Sequence, residues 1–187
     1  MSELLEIIHN LNRLAELRRT ALLDTPAEEP FDRLTRLATR LCKTPVGLVS
    51  LVDQDRQFFK SAVGLPEPWM TRRETPLSYS FCKHAVAWST EPLVVRDARK
   101  DATFRDNPAV QELGIVAYAG VPLMHGGQAL GTLCVIDVEP RAWSYDEIET
   151  LKDLAACVMR EIELRTRLRE MESGARRGGV ETRPRSS

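Results

Sequence analysis

Ile115-Val116-Ala117-Tyr118-Ala119-Gly120-Val121-Pro122-Leu123-Met124-His125-Gly126-Gly127-Gln128-Ala129-Leu130-Gly131-Thr132-Leu133-Cys134-Val135-Ile136-Asp137 is the stretch that decides the fold. Ile115 to Leu123 and Gln128 to Asp137 read as strands, and the glycine pair between them can take the positive φ that a hairpin turn demands. They are expected to be antiparallel neighbours. Upstream, Val46-Gly47-Leu48-Val49-Ser50-Leu51-Val52 is a short aliphatic run suited to a strand covered on both faces. Asp53-Gln54-Asp55-Arg56 supplies turn chemistry before a returning strand, Gln57 to Val63. Leu93-Val94-Val95 is a third, shorter run.

Helical periods flank these strands. From about Ser2 to Leu23, apolar residues recur at helical spacing with charges between them, which predicts one amphipathic helix over 1–23. Thr25-Pro26-Ala27-Glu28 has the form of a capping box, with Pro30 as a signal that shifts the helix start onward. Phe31, Leu34, Leu37, Ala38 and Leu41 mark that helix's buried stripe, and Thr44-Pro45 ends it. A helical stretch is predicted around Ser80 to Trp88, an irregular loop with a helical turn over Asp97 to Asn107, and a further short helix near Val110 to Leu113. Ser144-Tyr145-Asp146-Glu147 is a second capping box; the helix it opens carries Ile148, Leu151, Ala155, Val158 and Ile162 on one stripe. Residues 24–171 thus form the domain, and 172–187, with nothing to bury, are expected to be disordered. Strand meanders with helices grouped around them make an α+β domain with a mostly antiparallel sheet.

Composition narrows the function classes. The chain has 187 residues with 26 Lys+Arg against 27 Asp+Glu, a net charge of −1, so no global field draws it to nucleic acid or an anionic membrane. One domain plus roughly 40 residues of extension is expected, without room for an output domain, so any output is expected in trans. The N-terminus lacks a signal peptide's charged and apolar regions, and no run reaches the length of a membrane span. Cys42, Cys82, Cys134 and Cys157 show no metal-ligand spacing, which predicts a reduced, cytoplasmic protein.

Several short strings, in order from about residue 23 to residue 165, resemble the GAF domains of bacterial signalling proteins with a Leu-Asp-Thr-Pro lead-in. They are Leu23-Asp24-Thr25-Pro26, Phe31-Asp32-Arg33-Leu34, Val49 to Asp53 with Asp55-Arg56-Gln57, Phe59-Lys60-Ser61, Ser80-Phe81-Cys82-Lys83-His84-Ala85, Leu93-Val94-Val95 with Asp97-Ala98, Tyr118 to Leu123, and Leu130 to Asp137. The resemblance implies a central antiparallel sheet of five to six strands. Terminal helices would cover one face, and a helix and loops would roof a ligand cavity on the other. It implies a sensory or regulatory module, not an enzyme, with the ligand and any cofactor unspecified. It also implies a homodimer through the end helices, supplied by the stripes Leu4, Ile8, Leu11, Ala15 and Ile148 to Ile162.

The expected cavity is roofed by Phe81 and the Asp97 to Phe104 loop, with Cys82 and His84 beside it. Ser50, Tyr118, Thr132 and Cys134 are the strand residues able to orient a ligand in an otherwise apolar pocket. Each of these has a plainer role in the core. Cys82 with His84 fits a bilin-attaching cysteine less well than a packed thiol and a helix-start histidine. Free methionine sulfoxide reduction, the enzymatic branch of the fold, needs converging cysteines; Cys42, Cys134 and Cys157 lie on different elements. His9 reads as a solvated helix residue, His125 as a turn residue, and Asp53/Asp55 and Asp97/Asp101 as turn chemistry. A third possibility is a structural dimerisation unit whose pocket is filled by its own side chains.

Overall fold

A computed structural model describes residues 3–88 and 91–178. The elements are α1 (Glu3–Ile8), α2 (Leu11–Thr20), α3 (Glu29–Cys42), β1 (Val46–Val52), β2 (Arg56–Val63), α4 (Trp69–Arg72), β3 (Glu74–Pro76), α5 (Cys82–Trp88), β4 (Leu93–Val95), α6 (Pro108–Glu112), β5 (Ala117–His125), β6 (Gln128–Asp137) and α7 (Tyr145–Gly178). Six strands form one sheet in the order β3-β2-β1-β6-β5-β4, and every pairing is antiparallel. β5 and β6 pair along their length, and the chain reverses at Gly126 and Gly127, with φ of 55° and 76°. Of the stretch quoted first, Ile115, Val116 and the two turn glycines fall outside the strands.

The middle strands are buried on both faces, so alternate residues feed two separate cores. Leu133 and Val135 of β6 join Val49 and Leu51 of β1 beneath α2, α3 and α7. Cys134 and Ile136 of β6 join Leu48 of β1 in a second core with α5, α6 and Phe104. Leu151, Val158 and Ile162 of α7 are fully buried in the first core, each contributing about 1.5–3 kcal/mol by burial. The α7 half of the stripe expected to serve a dimer is therefore largely spent on the chain's own sheet, whereas in the N-terminal half Ile8 is buried and Leu11 is 78% exposed. Apolar residues left exposed on α7 lie further on, at Leu164, Leu168 and Met171.

The N-terminal segment is not one helix. It breaks after Ile8, and the Asn10 side chain accepts from Asn12 N and Arg13 N to start α2 afresh. The break lets α1 cross the end of the sheet: Ile8 packs into the pocket-side core, whereas Leu17 and Leu22 belong to the other. Only α2 and α7 share a face as the end helices were expected to. Arg13, expected as a surface charge, is 1% exposed and holds this corner. Its Nε and Nη2 donate to Ile8 O at 3.1 and 2.6 Å, and its Nη1 donates to Val52 O at 2.7 Å. Burial lowers its pKa to about 10, with nearby Asp53 opposing the fall. His9 lies outside any helix, its Nε2 3.0 Å from Gln54 O.

Other boundaries also differ. The third helix begins at Glu29, with Pro30 in its first turn, and Thr25 makes no cap there. The Thr25 hydroxyl donates to Leu22 O instead, and accepts from the buried Lys60 ammonium at 2.8 Å. Lys60 also donates to Pro26 O at 2.8 Å and to Glu28, which pairs in turn with Arg165. Asp24 pairs with Arg56 at 2.8 Å, and Asp32 accepts from Ser61 at 2.6 Å. The lead-in and the Phe59-Lys60-Ser61 string are thus two sides of one contact that ties the α3 lead to β2. Ser144 and Glu147 form the reciprocal cap expected, at 3.2 and 2.8 Å. The helix it opens runs to Gly178, past the boundary expected at 171, so 172–178 continue the helix. The disorder expected for the rest of the tail lies outside the described residues.

Candidate functional site

α5 is positioned by its own entry. Ser80 Oγ accepts from Lys83 N at 3.0 Å, capping the first turn, and donates to Gln57 Oε1 of β2. Lys83 Nζ reaches back to Leu77 O at 2.8 Å. Cys82, the first residue of the helix, is thereby pressed against the sheet, and its Sγ lies 3.8 Å from Cys134 Sγ on β6. Tyr118 Oη on β5 lies 3.4 Å from Cys82 Sγ and 3.5 Å from Thr132 Oγ1, so its one proton serves one of them at a time. Ser50 faces Thr132 across the β1–β6 ladder. Its hydroxyl is buried, with no hydrogen-bond partner.

Five of the expected residues, Ser50, Cys82, Tyr118, Thr132 and Cys134, thus form one buried polar and thiol cluster. Gly120 makes room for it: a Cβ there would lie 2.1 Å from Tyr118 Oη. Burial alone raises a thiol's pKa, and Cys134 is pushed well up by it. At Cys82 burial is opposed by hydrogen bonding to the sulfur from Cys134, Thr132 and Tyr118, and the balance goes down. The cysteines expected to stay apart were Cys42, Cys134 and Cys157; the two that meet are Cys82 and Cys134, both expected at the cavity. Cys42 does stand apart, in the opposite core, its thiol pushed up to about 11 by burial and by Glu147; Cys157 is exposed on α7.

Phe81 stacks on Phe104 at 4.5 Å and meets Tyr118 at 5.4 Å, and His84 packs edge-on against Phe104 at 4.9 Å. Burial and the Lys83 ammonium lower the His84 pKa to about 4, so its ring is neutral, with a buried Nδ1 that has no hydrogen-bond partner. Asp97 does not join the cluster. It caps Arg99 N and holds the Arg99 guanidinium at 2.8 and 2.9 Å, which is turn chemistry. His125 sits against Glu16 at 2.5 Å, joining the β5–β6 turn to α2.

A cavity of about 30 Å³ ends on this cluster. Phe81, Cys82 and Tyr118 line it, with Leu48, Phe59 and Ile136 from the sheet and Gln57 and Thr75 as polar members. Sequence reasoning missed Gln57 and Thr75, because nothing local marks which face of β2 and β3 they take. The volume suits about two water-sized molecules. Pockets for drug-sized ligands run to roughly 300–1,000 Å³. Much of the expected ligand space is filled by Phe81, Phe104 and Tyr118. Among the described residues no cluster of three or more His, Cys, Asp or Glu side chains could hold a metal ion.

An antiparallel sheet with helices on one face, and on the other a short helix roofing a small buried site, defines a sensor-type α+β domain. The chain belongs to the GAF domain family, whose model matches residues 26–162. It is 39% identical over 154 residues to a protein of Pseudomonas aeruginosa named "Cyclic di-GMP phosphodiesterase PA2567", covering 81% of this chain and 25% of that one. The chain thus spans a quarter of that relative's length. The GAF domain of an Acinetobacter phosphoenolpyruvate-protein phosphotransferase shares the fold, with a TM-score of 0.61, 20% identity and coverage of 85% of this chain and 98% of that one. So does the free methionine-R-sulfoxide reductase of Neisseria meningitidis, with a TM-score of 0.59, 18% identity and coverage of 83% and 89%.

Proposed function

We propose that the chain is a cytoplasmic, non-catalytic regulatory module of a bacterial signalling protein. It takes its input at the Cys82–Tyr118 cavity and passes it to partner proteins through its terminal helices. The observation that carries this reading is the GAF match over 26–162, together with 39% identity to a signalling protein named as a cyclic di-GMP phosphodiesterase. Control of cyclic di-GMP turnover is the output this points to. The input is a small molecule, and a second copy of the chain packs on the exposed Leu164, Leu168 and Met171 face of α7. Spacing of four and three residues suits helix pairing between copies.

Incubation of the purified chain with cyclic di-GMP, and separately with free methionine-R-sulfoxide and a thiol reductant, is expected to give no turnover; turnover of either overturns the reading. Native mass spectrometry of protein from its own cells identifies the ligand, and light scattering reports the dimer, which Leu168→Glu is expected to convert to monomer. A sulfoxide-reductase reading draws on one observation, the two thiols 3.8 Å apart. Against it stand their full burial and a cavity of about 30 Å³, too small for methionine sulfoxide.

A further inference from the structure

We infer that Cys82 and Cys134 are a peroxide-responsive dithiol, which a small hydroperoxide entering the cavity closes to a disulfide. Two sulfurs 3.8 Å apart are within about 1.8 Å of the roughly 2.0 Å bonding distance, an approach that side-chain rotation and a small shift of the α5 start can supply. Neither thiol has another partner of its kind: Cys42 lies across the sheet and Cys157 faces outward from α7. The pair is 52 residues apart in sequence, so the bond would pin α5 to the middle of the sheet.

Access and size point to the same oxidant. The cavity runs from Cys82 to the partly exposed Leu65, Tyr79 and Leu113. Its volume of about 30 Å³ accommodates hydrogen peroxide, which has about the bulk of two waters, and shuts out larger oxidants and thiols. The donors around Cys82 Sγ, Tyr118 Oη among them, favour the thiolate, which is the nucleophile in this chemistry.

The steps balance. The Cys82 thiolate attacks one peroxide oxygen; an S–O bond forms, the O–O bond breaks, and the departing hydroxide takes a proton to leave as water. The Cys134 sulfur then attacks the sulfenic sulfur of Cys82; an S–S bond forms, the S–O bond breaks, and the thiol proton leaves with the hydroxyl as a second water. Two thiols lose two electrons, and one peroxide becomes two waters. Use of this step as a signal rests on the regulatory reading, whereas the chemistry does not.

The test uses the whole chain, reduced, desalted and exposed to hydrogen peroxide. Non-reducing peptide mass spectrometry is expected to show a Cys82–Cys134 linked peptide, with the intact mass lower by two hydrogens and Cys42 still free. Cys157→Ser is expected to behave the same way, which removes bonds between molecules from the account. In Cys134→Ala, the intact mass is expected to rise by one oxygen, and dimedone added as the protein is unfolded is expected to mark that sulfenic acid on Cys82. Oxidation confined to Cys157, with Cys82 and Cys134 both alkylated as free thiols after unfolding, overturns the inference. So does a linked peptide that forms only in denaturant. Such a failure leaves the regulatory reading standing, because the turnover assays test that reading independently.

Discussion

Replacing Gly120 with alanine tests whether the cluster is built around the Tyr118 ring. The added Cβ would stand 2.1 Å from Tyr118 Oη, 2.6 Å from Cζ and 2.8 Å from Cε1, all inside contact distance, so the ring must leave its place. Overpacking of this kind costs about 1–3 kcal/mol. Displacement of the hydroxyl from Cys82 and Thr132 adds about 0.5–1 kcal/mol, the low end for one hydrogen bond because both distances are long. Against this, alanine in a strand gains about 0.5–1 kcal/mol over glycine. The sum is a net loss of about 1–3 kcal/mol, or roughly 2–12 °C in Tm for a chain of this size. Urea unfolding of Gly120→Ala, Tyr118→Leu and the double variant closes a thermodynamic cycle. In the Tyr118→Leu background, which lacks the three clashing atoms, Gly120→Ala is expected to be neutral or slightly stabilising. An equal cost in both backgrounds would refute the assignment of Gly120 to the ring.

Two further outcomes follow from buried groups. Arg13→Met keeps the side-chain stem and leaves Ile8 O and Val52 O without their donor, at about 1–3 kcal/mol each; hydrogen exchange is expected to rise across Leu4–Ile8, and unchanged protection there would show that the corner is held by packing alone. His84 carries a folded pKa of about 4 against an ordinary 6.5, so the unfolded chain binds the extra proton between those values. Its contribution to stability is complete above pH 6.5 and is lost as the pH falls toward 4; the urea midpoint of His84→Gln is expected to fall less steeply than that of the natural chain across this window, and parallel profiles would count against a buried neutral ring.

Local signals carried much of the fold. The β5–β6 hairpin was legible because two consecutive glycines can both take positive φ, and the start of α7 because Ser144 and Glu147 satisfy each other's backbone within one turn. The break at Asn10 was not, since the apolar period runs on through it and the gain from breaking lies in Arg13 reaching Val52, 39 residues away. β3 was invisible as three residues containing a proline; it exists because β2 offers an edge. In the site, polar residues within aliphatic strands were conspicuous, and Ser50, Tyr118, Thr132 and Cys134 do come together. Their meeting with Cys82 depends on how α5 docks on β6, which no spacing records. Asp97 shows the converse: a carboxylate beside a loop looks like a ligand group until Arg99, two residues on, is seen to hold it.

The sheet gives the site two physical connections to the terminal helices. β6 carries Cys134 and Ile136 into the pocket-side core and Leu133 and Val135 into the core beneath α7, so its backbone belongs to both layers. Dense packing on each side means that a shift at Cys134 cannot be absorbed on one face alone. The second connection is the N-terminal corner, where α1 rests on the α5 side, α2 rests on the α7 side, and the Arg13 guanidinium holds the end of α1 to the end of β1. Whatever acts at the pocket, ligand or disulfide, moves these helices only to the extent that it favours one arrangement of α5 over another. Helix α5 is the element where that preference can arise, because its first residue touches the thiol cluster while its body meets α1.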